Sequence, residues 1–562
     1  MSIINPAVYM KTLIKQEIQN AYSKAVANGA LDLVETSDFE VEVPKDSANG
    51  EFSANFAMKN VRLLKKAPVM IANAIIENFD GGKLFESVSV AGPGFINFRL
   101  SSAYYSMIVE TILELGDDFG KTDTFGGQTV LVEFVSANPT GPMHMGNARG
   151  GIIGDCLSAV LKWAGADVKK EFYVNDAGNQ VSLFGESLFV RLYQLVNGEE
   201  SMEFPEDGYH GDDIKVLAKA YYDLKDGKVS FEDKQALVAD MVSYGLDKNI
   251  ARMQSDLEKY KIVYDKWFRE STLHTSGYVK ETIELLEKAG AIYEADGAKW
   301  FRATDYGCEK DEVMVKANGF YTYYAVDLAY HRNKFCERNF ERCINVLGAD
   351  HHGHTIRYKA GMRALGIDEQ RLDVVLMQLV RLMRDGKPFK MSKRTGKSIT
   401  LSDLLDEIPA DAARFFFNMN RSESVMDFDL SLAVKQDSEN PMYYVQYAHA
   451  RICSILRNLE FEANDAKAVG DYEYTAEAEK ELVKNLARFP EEVASAAISM
   501  EPSKITKYVM DVASSFHSFY NACRIKGEQD AVMKGRLALV VCAKTVIKNA
   551  LCLMNIDAPE KM

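Results

Sequence analysis

Val130-Leu131-Val132-Glu133-Phe134-Val135 is an apolar run of strand length, and it breaks into the turn-forming stretch Ser136-Ala137-Asn138-Pro139-Thr140-Gly141-Pro142. Met143-His144-Met145-Gly146-Asn147 follows, and from Asn147 to Ala164 the apolar residues Ile152, Ile153, Leu157, Val160 and Leu161 recur at helical spacing, with Gly165 as a C-terminal cap. Glu171-Phe172-Tyr173-Val174 then reads as a second strand. Strand, helix, strand is a βαβ unit, whose right-handed crossover implies a parallel sheet. At such a strand-to-helix junction backbone N–H groups and the positive end of the helix dipole converge, so an anion is expected there. Gly146 lets a nucleotide approach the backbone, His144 can donate to a phosphoryl oxygen, and Asn147 adds a neutral donor. The plain alternative is a proline-glycine turn with a surface histidine.

Working outward, residues 185–310 become long, charged and helical, with Trp267 and Trp300 as aromatic anchors, and are expected to be a helical insertion between two halves of the sheet. The sheet is expected to resume at Ile344–Leu347, followed by a helix near 354–365 and a strand from Val374 to Met377 that continues through Leu382. Beyond about 435 the pattern is that of an all-helical bundle. Before the quoted stretch, Asn55–Phe79 has helical periodicity that Pro68 divides into two helices, and Val88 to Leu100 alternates around Gly92-Pro93-Gly94 as a hairpin. The expected organisation is an α/β chain in three parts. These are an α+β domain over 1–112, a doubly wound parallel-sheet (Rossmann-type) catalytic domain over 113–434, and an all-α bundle over 435–562.

Composition agrees with an ordinary folded chain: of 562 residues, 47% are hydrophobic and 26% charged, and Pro occupies only 13 positions. A net charge of -15 disfavours indiscriminate binding to nucleic acid or anionic membrane, while leaving room for a local basic groove. The eight cysteines form no Cys-x-x-Cys pair, which argues against a disulfide framework and fits a reducing cytoplasm. The opening residues lack the pattern of a signal peptide and no apolar run reaches spanning length, so neither secretion nor membrane insertion is expected.

A second segment carries chemistry. Between Arg381 and Lys397, through Lys387-Pro-Phe-Lys390-Met391-Ser392-Lys393-Arg394-Thr395-Gly396-Lys397, there are seven cations and one anion. Such a density is costly unless a polyanion sits there. Lys390 and Lys393 could clamp a triphosphate and follow its charge as pyrophosphate leaves. Alone, the segment reads equally as a solvated basic loop or a nucleic-acid patch.

Together, HxGN and KMSKR resemble the HIGH and KMSKS signatures of class I aminoacyl-tRNA synthetases. Val132–Pro142, Phe172–Gln180, Gly297–Phe301, Tyr321–Tyr330, Gly348–Gly353, the N-terminal Phe52–Phe56 and Gly92–Phe98, and the terminal Ala558–Met562 are similar to the arginyl-tRNA synthetase family, over nearly the whole chain. The resemblance implies ATP binding by Ala137, Asn138, Pro139, Thr140, Gly141, Pro142, Met143, His144, Met145, Gly146, Asn147, Lys390 and Lys393, and catalysis by His144, Asn147, Lys390, Ser392 and Lys393. It also implies that Glu133 and Asn138 orient arginine while Tyr323 and Asp327 hold the guanidinium side, with His351 placed where some relatives use glutamine. A guanidinium is a planar fork of donors, which carboxylates beside aromatic rings read well. Without the family, Glu133 would read as a polar residue at a strand edge and Asp327 as a helix N-cap. His351, His352 and His354 could chelate a metal, but no carboxylate triad beyond Asp350 accompanies them, and no resident metal is expected.

One position departs from the pattern. Asn147 replaces the second histidine of HIGH, so its help must be a neutral hydrogen bond. The implied reaction is activation of arginine with ATP, accompanied by Mg²⁺, to arginyl-adenylate, requiring bound tRNA(Arg), and transfer to the terminal adenosine of that tRNA. The N-terminal domain would touch the outer corner of the tRNA and the helical tail would read the anticodon. Tyr443, Tyr444, Tyr447 and Tyr520 could stack on unpaired bases, although bundle core is the expectation for at least two of them. A cytoplasmic monomer is expected. The rivals are another HxGH-type nucleotidyl-transferring enzyme, usually short and tailless, and a non-catalytic tRNA-binding regulator that kept the fold, against which Lys390, Ser392 and Lys393 argue.

Overall fold

The computed structural model describes residues 5–389, 400–469 and 472–562. Two compact units result: Met1–Asp123 with Pro441–Ala496 and Lys504–Met562, and Thr124–Asn440 with Ala497–Ser503.

In the first unit, α1 (Pro6–Ala27), β1 (Val41–Glu42), β2 (Phe52–Ala54), α2 (Phe56–Leu64), α3 (Pro68–Glu77), β3 (Phe85–Ala91), β4 (Phe95–Leu100) and α4 (Ser102–Leu115) form an α+β module. Its sheet runs β1-β2-β4-β3, and Pro68 occupies the first turn of α3, where a missing N–H costs nothing. The hairpin over Gly92–Gly94 is antiparallel, as its alternation requires.

The second unit begins with β5 (Thr129–Phe134), α5 (Met145–Trp163) and β6 (Asp167–Val174), followed by α6 (Asn179–Asn197), α7 (Asp212–Leu224), α8 (Lys234–Lys259), β7 (Lys266–Arg269), α9 (Ser271–Thr275) and α10 (Tyr278–Lys288). It continues through β8 (Ile292–Ala295), β9 (Ala298–Phe301), β10 (Glu312–Val315), α11 (Tyr323–Arg332), β11 (Arg342–Gly348), α12 (His352–Ala364) and β12 (Leu372–Met377). Five of these strands make one parallel sheet in the order β12-β11-β5-β6-β7. Gly154 of α5 lies against Phe134 on one face, while Leu131, Tyr173, Phe268 and Cys343 join a core with α10, α11 and α12. The sheet is therefore doubly wound, and its order reverses between β5 and β11, the switch point at which such folds bind ligands.

Two expectations are corrected here. The stretch 185–310 is not wholly helical: β7 is the edge strand of the parallel sheet, and β8 and β9 begin an antiparallel sheet β10-β9-β8. Helical periodicity in α6 to α8 masks strands only four residues long, which are set by tertiary pairing. Nor does β12 continue to Leu382: β13 (Val380–Arg384) belongs to a separate sheet with β14 (Lys387–Pro388) and β15 (Met426–Asp429). Between these last strands lie α13 (Leu401–Glu407) and α14 (Ala410–Phe417), and α15 (Leu430–Ala433) closes the unit.

The remaining helices are α16 (Pro441–Asn458), α17 (Ala463–Lys467), α18 (Glu477–Ala487), α19 (Phe489–Ser499), α20 (Ser503–Ala522) and α21 (Asp530–Leu553), with no strand among the described residues beyond 440. Within the first unit α17, α18 and α21 pack on α4; Lys484 and the Tyr105 hydroxyl both reach Glu51, and Asn549 Nδ2 donates to the carbonyls of Gly116 and Phe119. Among the described residues no helix is long and apolar enough to cross a membrane.

Candidate active site

At the end of β5 the chain makes a strained exit. Val135 and Ser136 are consecutive non-glycine residues with φ of 69° and 43°, and a β-branched residue rarely adopts such a value. Each costs about 1–3 kcal/mol and persists only where the surroundings hold it. Here Ser136 Oγ donates to Glu133 Oε1 at 3.0 Å and accepts the Tyr173 N–H at 3.1 Å.

The turn that follows is pinned by Asn249 Nδ2, which donates to the Pro139 carbonyl at 2.8 Å. Pro139, Thr140 and Met143 are buried, whereas Asn138, His144 and Gly146 are exposed and Ala137, Gly141, Pro142, Met145 and Asn147 are half-buried. His144 is the N-cap residue of α5, and its N–H donates to Asn147 Oδ1 at 3.0 Å. Asn147 therefore spends its oxygen on the helix start, leaving the amide NH₂ as the donating end. A Cβ built on Gly146 would meet no atom within 4 Å, so the space beside this backbone is open.

Lys390, Ser392 and Lys393 lie outside the described residues. Their flank does not: Thr400 forms an antiparallel bridge with His144, and the Leu401 N–H donates to the Met143 carbonyl at 2.9 Å. Thr400 also starts α13 through a reciprocal cap with Asp403, at 3.1 Å in each direction. The chain leaving the lysine-rich segment is thus stitched to the histidine-bearing turn.

Near the end of β5 the carboxylates of Glu133, Glu270 and Asp327 lie close enough to act on one another. Glu133 is not at a strand edge, because β5 is the middle strand, and its Oε2 pairs with the fully buried Lys334 at 2.5 Å. Asp327 is not a helix cap, since Thr322 caps α11; Asp327 stands inside that helix and accepts from the Tyr358 hydroxyl at 3.1 Å. Burial, and then the nearby Glu270 and Glu133 carboxylates, push the Asp327 carboxyl up to about 7, against the opposing Tyr358 hydrogen bond and Lys334 charge. Glu270 follows β7 at the start of α9, accepts from the Tyr173 hydroxyl at 2.7 Å, and is itself raised by burial. His331 is held neutral by burial, its proton affinity lowered to about 3, and its Nδ1 donates to the Asp327 carbonyl at 2.7 Å.

Of the expected arginine-site residues, Glu133 and Asp327 thus share one electrostatic environment. Asn138 donates to Gln180 at 2.5 Å, Tyr323 is exposed at the start of α11, and His351 is half-buried just after β11, 3.6 Å from Asp350. Glu270, Lys334, Tyr173 and Tyr358 are the pocket residues that sequence reasoning missed. Glu270 escaped because its strand lies in the stretch read as helical; a Trp267-Phe268 pair followed by a lone acid was the available signal. Among the described residues no group of three His, Cys, Asp or Glu stands together as a metal site.

The four tyrosines occupy the other unit. None is core, contrary to expectation for two of them: Tyr447 is exposed and Tyr443, Tyr444 and Tyr520 are half-buried. Tyr443 and Tyr447 lie nearly parallel at 6.4 Å, His517 approaches Tyr444 at 5.2 Å, and the Arg451 guanidinium lies 4.5 Å from the Tyr520 ring centre.

A parallel sheet with a histidine-started helix at its switch point defines a nucleotide-binding catalytic domain of the class I synthetase type, and residues 109–438 match the family described as tRNA synthetases class I (R), catalytic domain. Residues 10–100 match the arginyl tRNA synthetase N terminal domain, and 445–562 the DALR anticodon binding domain. An arginine–tRNA ligase of Acetivibrio thermocellus is 50% identical over 98% of this chain and 99% of its own, and one of Bacillus subtilis is 43% identical over the whole of both. The solved Thermus thermophilus arginyl-tRNA synthetase shares the fold, with a TM-score of 0.71 at 20% identity, covering 97% of this chain and all of the other. The chain belongs to the arginyl-tRNA synthetase family.

Proposed function

We propose that the chain is an arginine–tRNA ligase. An arginine carboxylate oxygen attacks the α-phosphorus of ATP, pyrophosphate leaves with the electron pair of the broken P–O bond, and arginyl-adenylate results. The hydroxyl of the tRNA(Arg) terminal adenosine then attacks the activated carbonyl and AMP departs. Little covalent chemistry falls to the protein, so alignment and charge stabilisation dominate. His144 and the Asn147 amide donate to phosphoryl oxygens at the start of α5, Lys390 and Lys393 follow the charge onto pyrophosphate, and Ser392 belongs to the same loop. The turn from Ala137 to Asn147 cradles ATP. Mg²⁺ enters with ATP, as part of the substrate, and neutralises triphosphate charge.

Glu133 and Asn138 orient arginine. Asp327 with Tyr323, joined by Glu270, receives the guanidinium, and His351 closes the pocket after β11. The Tyr443, Tyr444, Tyr447 and Tyr520 cluster stacks on bases of tRNA(Arg), and tRNA is required for activation. The protein acts as a cytoplasmic monomer. The single observation that supports this reading is the bridge between Thr400 and His144, because it joins the histidine-bearing turn to the chain that follows the lysine-rich segment. ATP–pyrophosphate exchange with each of the twenty amino acids, with and without tRNA, tests it. Exchange specific to arginine and dependent on tRNA is expected; tRNA-independent exchange with another amino acid, or none at all, would refute it.

A further inference from the structure

A hydrogen-bonded chain runs from the buried Asp327 carboxyl outward along α12. The Tyr358 hydroxyl donates to Asp327 Oδ2 at 3.1 Å, and His354 Nδ1 lies 3.2 Å from the same hydroxyl oxygen. Tyr358 is buried, whereas His354, one helical turn earlier, is half-buried. The His354 ring meets the His351 ring edge-on with centres 4.8 Å apart, and the His331 ring lies 4.6 Å from that of Tyr358. Burial, and then the neighbouring Arg357, hold His354 below the ordinary histidine range, so its ring is neutral near neutral pH. Among the described residues the Tyr358 hydroxyl bonds only with Asp327 and His354.

A hydroxyl has a single proton to give. While Tyr358 donates to an ionised Asp327, its oxygen accepts from His354, whose hydrogen then sits on Nδ1. When Asp327 is protonated both bonds reverse: the carboxyl donates to Tyr358, Tyr358 donates to Nδ1, and the His354 hydrogen sits on Nε2. The charge of Asp327 is thereby tied to the tautomer of a histidine two hydrogen bonds away. We propose that His354, acting through Tyr358, is a positioning residue that aims the hydroxyl at Asp327 and favours the carboxylate that receives a cationic group of arginine. This rests on the reading of Asp327 as an arginine-binding residue given above, and it holds for either cationic end of the substrate.

Other charged and titratable groups face the same chain. Around Asp327 stand Glu133 of β5, Tyr173 of β6, Glu270 at the start of α9, Lys334 just past α11, and Tyr324 of α11 itself. Around His354 stand Arg357, His351, Asp350 and, from β10, Glu312. These set the level from which the Tyr358 bond pulls Asp327 down; that bond is the largest opposing influence on its carboxyl.

Arginine affinity of the full chain, measured by calorimetry at pH values on both sides of 7, tests the proposal. In the wild type affinity climbs through about 7, and Asp327→Asn flattens the profile. Tyr358→Phe, which keeps the ring, moves the midpoint up by about one pH unit, as loss of a hydrogen bond to a charged group does. His354→Ala moves it up by about 0.3 unit or more, a factor of about two in proton affinity, and the double variant moves it no further than Tyr358→Phe. His354→Asn, whose amide NH₂ takes the place of Nδ1–H, restores the wild-type midpoint. A mere packing defect weakens binding equally at every pH; that outcome for His354→Ala, or a further upward shift in the double variant, would overturn the proposal. If His354→Ala fails to fold, nitrogen NMR of the wild-type ring decides: arginine binding should convert His354 to the Nδ1–H form, and an unchanged tautomer would overturn the proposal. A wild-type profile that is flat, or that Asp327→Asn leaves unaltered, would instead overturn the reading of Asp327 on which it rests.

Discussion

His144 and Asn147 sit three residues apart with different duties. On the proposed mechanism, in which His144 is a transition-state donor, His144→Ala should lower arginine activation at least ~10-fold in pyrophosphate exchange, while Asn147→His should retain activity. An unchanged rate for His144→Ala would refute the assignment. Asp327 makes a second residue-scale prediction. Its folded-state carboxyl, at about 7, lies above the ordinary 3.8, so the native protein holds a proton that the unfolded chain releases. Between those values stability falls as pH rises, by linkage. An arriving guanidinium favours the ionised form, so arginine binding should expel a proton and strengthen as pH climbs through 7, then level off above it. Calorimetry in buffers of different ionisation enthalpy reads the released proton, and Asp327→Asn should abolish it. At this scale the candidate site was legible as motifs, because HxGN, KMSKR and the Tyr323–Asp327 segment carry a family signature in contiguous residues, although KMSKR lies outside the described residues. Lys334 was not, since nothing local marks a lysine that only the fold brings against Glu133, and Glu270 was hidden because its stretch reads as helical.

Two glycines in α5 separate what the helix needs from what its ligand needs. A Cβ at Gly154 would lie 2.2 Å from Phe134 Cγ in the fully buried core of the sheet, whereas one at Gly146 would face open space. Gly154→Ala should destabilise the protein by about 1–3 kcal/mol in thermal or denaturant unfolding, as overpacking does. Gly146→Ala should unfold as the wild type does but bind ATP more weakly; normal ATP affinity would deny the nucleotide that space. Element identity was readable where periodicity was long: the βαβ unit, the hairpin and the helical tail follow from it. The four-residue strands β7, β8 and β9 were missed because pairing with distant partners, not their own sequence, makes them extended. The sheet carrying Arg381 and Lys387 was likewise merged with β12, only two residues separating the strands.

At the scale of the molecule, residues on either side of the catalytic unit share one fold. Tyr105 and Ile108 of α4 are buried in the same unit as α18 and α21, and Lys548 pairs with Asp117 at 2.9 Å. A chain cut after residue 440 should therefore lose protection over residues 1–123 under limited proteolysis, with Thr124–Asn440 remaining the more resistant fragment; equal resistance of both would contradict the shared packing. No periodicity announces which separate segments will pair, so this joining was invisible in the sequence. It also sets a schedule for biogenesis. The ribosome releases the first module, then must polymerise all of Thr124–Asn440 before the helices that cover α4 emerge, a delay on the order of tens of seconds at about 5–20 residues per second. Through that interval the nascent polypeptide carries an uncovered greasy flank, which makes it a client for holdase chaperones in proportion to how slowly its messenger is read.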